Sequence, residues 1–221
     1  MDTRKAIKNR RSIRKFINRQ VSEETLHNLV SESLWAPSWG NTQPWEFMVI
    51  TGPALERFKQ ENKNALLSGK KASPEIQMPQ EWPKVMKARY VDVGRSVLEA
   101  QSIARKDLDG RLKYYGDMFS LFGALALLLI LLDKSLLIEY AMLDIGLFLQ
   151  NVMLLTHNEG LGSIVLSASV NYPDILREQF PIPAYKRIVI GVAIGWPDRD
   201  APVNRFERRR AASDECGIWI T

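Results

Sequence analysis

The chain has 221 residues, of which 46% are hydrophobic and 25% are charged, and its formal net charge is +5 at pH 7. This length and composition predict a single globular domain with a sizeable core. Its one cysteine, Cys216, excludes an internal disulfide framework and a multi-cysteine metal site, and it favours a cytoplasmic location. Arginines cluster near both ends without a nucleic-acid reading motif, so no nucleic-acid partner is expected.

The N-terminal region combines a short predicted helix, residues 2–9, with a run of cationic side chains from Arg10 to Arg14. If the run is extended, Arg10, Ser12 and Arg14 project to one side of the chain. Guanidinium groups keep their charge at any working pH and bind phosphate through paired donors. The run therefore predicts a site for an elongated anion such as a nucleotide, with a solvated basic stretch as the alternative.

The next elements are a helix, a polar loop, a strand and another helix. Ser22 is a typical N-cap, and apolar residues at helical spacing follow it as far as Leu34. Pro37 ends this helix, and the loop 36–45 carries two prolines, a glycine and several amide or hydroxyl groups. Residues 45–51 predict a strand, and Pro53 occupies the favoured first position of the following helix.

Residues 68–115 carry weaker signals. Three prolines and many lysines predict an excursion over the surface, with one helix at 85–106. An excursion of this length is either a lid over a binding site, such as a substrate site, or a variable insertion without a role.

The apolar stretch Met118–Leu132 is too short to span a membrane, and no membrane partner is expected. Within it, 121–132 predicts a strand buried on both faces, with a buried helix as second choice. The helix predicted at 137–158 is apolar nearly all round and should run through the core. Further predicted elements are an extended segment at 162–169, a short helix ending near 180, a strand at 187–196, an irregular C-terminal arm from 197 and a last short strand at 218–220.

Helices and strands do not alternate evenly in this order, which favours an α+β fold over a doubly wound parallel sheet. Common catalytic motifs are absent or incomplete. Gly160-Leu161-Gly162 lacks the third glycine of a dinucleotide fingerprint, and neither His27 nor His157 has a neighbour at metal-ligand spacing. No metal site and no hydrolase or NTPase chemistry is therefore expected.

Three separated stretches, in this order and at these distances, resemble the FMN-dependent nitroreductase family. They are Arg10–Arg14, Ala36–Trp45 and Asn204–Arg210, and the residues around Phe122-Gly123-Ala124 and Gly160–Ser163 are also similar. The resemblance covers nearly the whole chain except about 68–115. It implies a single nitroreductase-like domain, a mostly antiparallel central sheet flanked by helices, and an intertwined homodimer with FMN at the subunit interface.

The resemblance also implies roles along the arginine run. Arg10 and Ser12 would hold the FMN phosphate, Arg11 the ribityl chain, and Arg14 the N1/C2 edge of the ring. A cation at that edge stabilises the charge that collects there when flavin is reduced. The full set of cofactor-binding residues implied by the family is Arg10, Arg11, Ser12, Arg14, Pro37, Ser38, Trp39, Asn41, Val165, Leu166, Ser167, Arg208 and Arg210.

The other implied contacts come from three places. The loop 37–41 would pack over the flavin of the partner subunit, and a backbone N–H of 165–167 would face flavin N5. The tail arginines Arg208 and Arg210 would form a second phosphate clamp, although Ala212 stands where the family has proline and leaves the tail register open. Trp39 stands where relatives often carry a small residue.

The implied activity is two-electron reduction of nitroaromatics, quinones or similar electron-poor small molecules by a ping-pong route. NADH or NADPH would be the electron donor. No catalytic side chain is needed, because the flavin supplies the chemistry. The alternatives are an enone or tetrapyrrole reductase, a dehalogenase or a dehydrogenase on the same fold, and a non-catalytic flavin-binding protein.

Overall fold

The computed structural model describes residues 2–220 and is built on a four-stranded sheet. The strand order is β1-β2-β4-β3, and every neighbouring pair is antiparallel. The predicted α+β class with a mostly antiparallel sheet is therefore confirmed. The strands are β1 (Glu46–Thr51), β2 (Ala126–Asp133), β3 (Gly162–Leu166) and β4 (Lys186–Gly195).

Helices cover both faces of this sheet. One face packs against α3, α5 and α7, and the other against α2 and α6. Two short helices lie near the chain ends, and α4 follows α3 on the surface. The helices are α1 (Thr3–Asn9), α2 (Glu23–Ser33), α3 (Gly52–Leu67), α4 (Lys84–Glu99), α5 (Leu108–Phe119), α6 (Ile138–Asn158), α7 (Pro173–Gln179) and α8 (Ser213–Cys216).

Strand β2 is buried on both faces, as its continuous apolar sequence predicts. Leu127 and Leu129 enter one core cluster, whereas Leu128 and Ile130 enter the other. The sequence had indicated a start at 121, but the strand begins at Ala126. Residues 121 and 122 both have positive φ, 57° and 55°, in a short 3₁₀ turn. Such a turn cannot join a β ladder.

The prediction that α6 runs through the core is confirmed for one face of the helix only. Ile145 and Phe148 are fully buried on its inner face, but Tyr140, Leu143 and Leu147 are exposed on another. By length and composition alone this helix could cross a membrane. Its inner face instead packs on the sheet and on α2, as a core helix does.

The excursion contains two helices, not one. α4 ends at Glu99, short of the predicted 106, and α5 begins after Asp107, whose side chain accepts the N–H of Gly110 at 2.9 Å. The last predicted strand, 218–220, was also wrong. These residues have no strand partner within residues 2–220, and their side chains are almost fully exposed.

Candidate functional site

The arginine run lies along the free edge of β3. The N–H of Ile13 donates to the carbonyl of Ser163 at 3.1 Å, and Ser12 forms a parallel bridge with the same residue. Ile13 is buried and lies over Gly162, where a Cβ would be only 2.5 Å from the Ile13 Cγ1. The glycine therefore allows the run to approach the sheet, and the sheet edge fixes its position.

Beyond this bridge, β3 has no strand partner on its outer edge among residues 2–220. The carbonyl of Ser163 points away from β4, towards the run. Orientation alternates along an antiparallel ladder, so the N–H and carbonyl of Val165 point to the same outer edge. Val165 is exposed, Leu166 is buried and Ser167 is partly buried. A free N–H here has the orientation that the predicted flavin contact requires, and that contact stays a prediction.

Asn204 joins the run to the C-terminal arm. Its side chain is buried, donates to the carbonyls of Lys15 and Asp198 at 2.8 Å each, and accepts the N–H of Arg14 at 2.7 Å. Arg11 makes a second connection by donating to the carbonyls of Asn204 and Phe206, the latter at 2.7 Å. Four of these five bonds join the two ends of the chain, and the bond to Asp198 lies within the arm. Neither role was visible in the sequence.

Arg208 approaches the run from the arm. Its guanidinium donates to the carbonyl of Lys8 at 2.6 Å and to that of Arg10, both at the C-terminal end of α1. A cation is favourable at a helix C-terminus. Burial lowers the pKa of Arg208, and the nearby charges of Arg11, Arg10 and Arg210 lower it further.

The run, the arm and α4 enclose a cavity of about 870 Å³, called the arginine cavity below. It brings together Arg10, Arg11, Ser12, Arg14, Arg208 and Arg210 from the predicted set. Burial, followed by the charge of Arg210, lowers the pKa of Arg10. Among residues 2–220, no carboxylate lies within 4 Å of any of these five guanidinium groups. The cavity is also lined by Asp92, Glu207 and Glu215, but these five arginines have no ion-pair partner among the described residues, which suits an anionic ligand.

Arg14 lies at the apolar side of this cavity. Its guanidinium carbon is 5.8 Å from the ring centroid of Phe206, and one of its nitrogens donates to the carbonyl of Ser12 at 3.4 Å. Tyr114 of α5 also faces it. Burial raises the pKa of the Tyr114 phenol, while the positive charge of Arg14 acts in the opposite direction.

The outer wall of the cavity comes from the excursion. Helix α4 contributes Arg89, Asp92 and Val93, and its charged residues pair with the arm. Arg89 contacts Glu215 at 3.1 Å, and Asp92 contacts Arg209 at 3.9 Å. We call these two ion pairs the arm–helix contact. In the C-terminal arm, whose register the sequence left open, Arg208 turns inward and Arg209 turns towards α4.

A smaller cavity of about 270 Å³ lies on the other side of Arg10 and Arg11. Met153 and His157 of α6 line it, and Arg10 contacts the Met153 sulfur at 3.8 Å. Burial lowers the pKa of His157, and the charges of Arg199, Arg10 and Arg208 lower it further. Its imidazole is therefore held in the neutral form more strongly than usual.

The loop 37–41 lines neither of these two cavities. Within the loop, the Ser38 hydroxyl accepts the N–H of Gln43 at 2.9 Å, and the Gln43 amide donates to Asn41. Pro37, Trp39 and Asn41 are exposed. One chain therefore does not bring this loop to the arginine cavity, in keeping with the predicted contribution to a partner's site.

Comparison with known proteins defines the class. The model of the nitroreductase family matches residues 7–196, and the chain belongs to that family. The resemblance drawn from the sequence is therefore confirmed.

Within this family, the chain is similar to several individual nitroreductases. A nitrobenzene nitroreductase of Ectopseudomonas oleovorans is 31% identical over 97% of this chain and 95% of its own length. An FMN and NADPH-dependent nitroreductase, NfnB of Sphingopyxis sp. strain HMH, superposes with a TM-score of 0.94 at 29% identity and covers 100% of both chains. The FMN-dependent NfnB of Mycobacterium smegmatis, solved with NADPH, gives 0.92 at 25% identity, covering 99% of this chain and 97% of its own.

Proposed function

We propose that the chain is a cytoplasmic, FMN-dependent oxidoreductase that uses NAD(P)H to reduce nitroaromatic compounds or similar electron-poor small molecules by a ping-pong route. The observation that carries this proposal is a group of five guanidinium groups in the arginine cavity, none of which has a carboxylate within 4 Å among residues 2–220. A phosphate with two negative charges fits such a site.

Within the proposed site, Arg10, Ser12 and Arg210 bind the phosphate. Arg208 supports them from the end of α1, and Arg11 lies beside the ribityl chain while holding the arm through its two carbonyl contacts. Arg14 faces the N1/C2 edge of the ring. Bound FMN supplies the two-electron chemistry. The protein supplies the cationic environment and the orientation.

We further propose an intertwined homodimer. Tyr140, Leu143 and Leu147 form an exposed apolar stripe at helical spacing on α6, which is unusual for a water-facing surface. The exposed loop 37–41 lies at the same helix, since Trp39 contacts Tyr140. A second copy of this chain would cover the stripe and place this loop over the partner's flavin, next to the edge of Val165–Ser167. The extended residues 218–220 would then reach across the partner.

For the electron donor we propose NADPH in preference to NADH. One NfnB relative is NADPH-dependent, and the other was solved in complex with NADPH. Helix α4 lines the outer side of the arginine cavity of about 870 Å³. It would act as a lid, first over the electron donor and then over the acceptor.

The test is to purify the chain with FMN and follow the flavin colour. We expect a yellow protein that releases FMN on heating, bleaches anaerobically with NADPH, and regains colour with nitrobenzene. Arg210→Gln should weaken FMN binding at least tenfold because a charge-assisted bond is lost. Arg57→Gln, an exposed arginine of α3 outside both cavities, is the matched control and should bind FMN normally.

Other outcomes separate the alternatives. A protein that never binds FMN would overturn the proposal. A protein that binds FMN but is not reduced by either nicotinamide would favour the non-catalytic flavin-binding reading. Rapid reduction by NADPH followed by turnover only with an enone or a halogenated phenol would favour one of the other chemistries.

A further inference from the structure

Trp39 is a large aromatic side chain that is held in place although it is mostly exposed. The side chain is 72% accessible in the single chain. Its loop is conformationally strained, because the non-glycine residues Asn41 and Gln43 both have positive φ, at 58° and 48°. Non-glycine residues in this region cost energy and persist only where surrounding contacts hold them. The contacts that hold the loop therefore determine where the indole lies.

The first contact is made by Asp144 of α6. Its side chain is only 4% exposed, and both carboxylate oxygens accept the backbone N–H of Trp39, at 3.2 and 3.3 Å. No other hydrogen-bond donor to this carboxylate is found among residues 2–220. Burying a carboxylate costs free energy, and its hydrogen bonds offset part of that cost. For Asp144 the contact that does so is the N–H of Trp39. It fixes the backbone of Trp39 against the helix.

The second contact comes from Tyr140, four residues earlier on the same helix. Residues at this spacing lie on one face, one above the other. The ring centroids of Tyr140 and Trp39 are 5.9 Å apart, with an interplanar angle of 46°. This separation lies in the range of favourable aromatic pairs. One turn of α6 thus contacts Trp39 at two points, the backbone N–H and the indole ring of Trp39.

From this geometry we propose that Trp39 is a specificity-determining wall of the acceptor site, and that Tyr140 and Asp144 are positioning residues that orient it. The inference rests on the proposed function, which places this loop over the flavin of a second copy. An indole presents a flat, electron-rich face, and a nitro-substituted ring is flat and electron-poor. The acceptor class selected is therefore planar nitroarenes in preference to aliphatic nitro compounds.

The test compares two ligands of similar size on the oxidised, FMN-loaded protein without a nicotinamide. Nitrobenzene is planar, whereas nitrocyclohexane carries the same group on a puckered aliphatic ring. Dissociation constants are measured from the perturbation of the flavin absorption spectrum. We expect Trp39→Ala to weaken nitrobenzene about tenfold and nitrocyclohexane no more than about twofold, as loss of one aromatic face predicts.

The positioning residues have matched conservative variants. Asp144→Ala removes the acceptor and should weaken nitrobenzene about threefold, whereas Asp144→Asn keeps an oxygen for the Trp39 N–H and should restore binding. Tyr140→Ala should likewise weaken nitrobenzene about threefold, and Tyr140→Phe, which keeps the ring, should not. Intrinsic tryptophan fluorescence reports independently whether the indole has become more mobile.

Several results would overturn the inference. Equal losses for both ligands, or no loss for either, would show that Trp39 does not select for aromatic rings. A Trp39→Ala protein that becomes monomeric while its nitrobenzene preference per bound FMN is unchanged would make Trp39 an interface residue only. These outcomes leave the proposed function intact. An unaltered protein that binds no FMN would instead remove the proposed function, and this inference with it.

Discussion

The two walls of the arginine cavity are built in different ways. The inner wall, residues 10–14, is fixed by Ile13 against Gly162 and by hydrogen bonds to Asn204, which is 5% exposed. The outer wall, α4, buries only Val97 and meets the arm through exposed ion pairs. This difference indicates that the wall formed by the run is rigid and preorganised, whereas the wall formed by α4 can move.

The energetics of the contacts support this division. Buried hydrogen bonds that would leave unpaired carbonyls if broken are expensive to lose. Exposed ion pairs such as Arg89–Glu215 gain little, because water screens them and long side chains must be ordered. We therefore expect substitutions in the inner wall to lower the global stability and those in the outer wall to change local motion.

The largest effect should come from Asn204→Ala. It leaves the carbonyls of Lys15 and Asp198 and the N–H of Arg14 without partners. The free energy of unfolding should fall by about 3 kcal/mol, measured by chemical denaturation of the FMN-free protein. Asn204→Asp keeps the acceptor for the N–H of Arg14 but loses both donated bonds. It should lower the free energy of unfolding less than Asn204→Ala only if the bond to Arg14 contributes most of the stability. An unchanged midpoint in Asn204→Ala would remove the distinction between the two walls.

Gly162→Ala should have the next largest effect. Its Cβ would lie 2.5 Å from the Cγ1 of Ile13, so the run must move away from β3. Overpacking of this kind costs about 1–3 kcal/mol, and FMN binding should weaken with it. The control is Gly146→Ala on α6, where an added Cβ meets nothing within 4 Å. Equal stability and equal FMN affinity in both variants would contradict the close approach described above.

Arg89→Gln should change motion more than stability. It removes half of the arm–helix contact, whose groups are exposed. The midpoint of global unfolding should stay within measurement error, while amide hydrogen exchange in α4 becomes faster. Exchange in β3 serves as the internal reference and should not change. A large loss of global stability would show that the outer wall is as firmly built as the inner wall.

A pH titration gives the smallest and most local effect. The N–H of Ala212, and then Arg89, lower the pKa of Glu215, so its contribution is present above its usual value of 4.5 and is lost as the pH falls through the lowered value. Ser135, followed by Lys186, lowers the pKa of Asp133 beside β4 to about 2. On acidification, α4 should therefore loosen before the Asp133 contact is lost.

The measurement is hydrogen exchange from pH 6 to 2.5, corrected for the intrinsic rate. Glu215→Gln should reduce the pH dependence in α4, where the Asp92–Arg209 pair remains, and leave that of the sheet unchanged. Simultaneous loosening of both regions would contradict the order predicted here.

Local patterns in the sequence were sufficient for much of the fold. Ser22 is the cap of α2, Pro53 lies in the first turn of α3, and the continuous apolar run of β2 is buried on both faces as predicted. The start of β2 was missed because Leu121 and Phe122 adopt positive φ, a conformation that their residue types do not signal.

The remaining misses share a physical cause. The sequence of an apolar helix does not reveal which of its faces enters the core, so α6 was placed wholly inside. For the site, the arginine run and its tail were found by charge and order. The roles of Asn204 and Asp144 were not, because a single polar residue does not reveal which distant backbone group it will meet.

The most direct test of the central claim compares FMN with riboflavin, which lacks the phosphate, by calorimetry on the flavin-free protein. If the arginine cavity is a phosphate site, FMN should bind at least about 100-fold more tightly, because two or more charge-assisted bonds are lost with riboflavin. The difference should shrink in Arg10→Gln. Equal affinity for the two flavins would contradict the account.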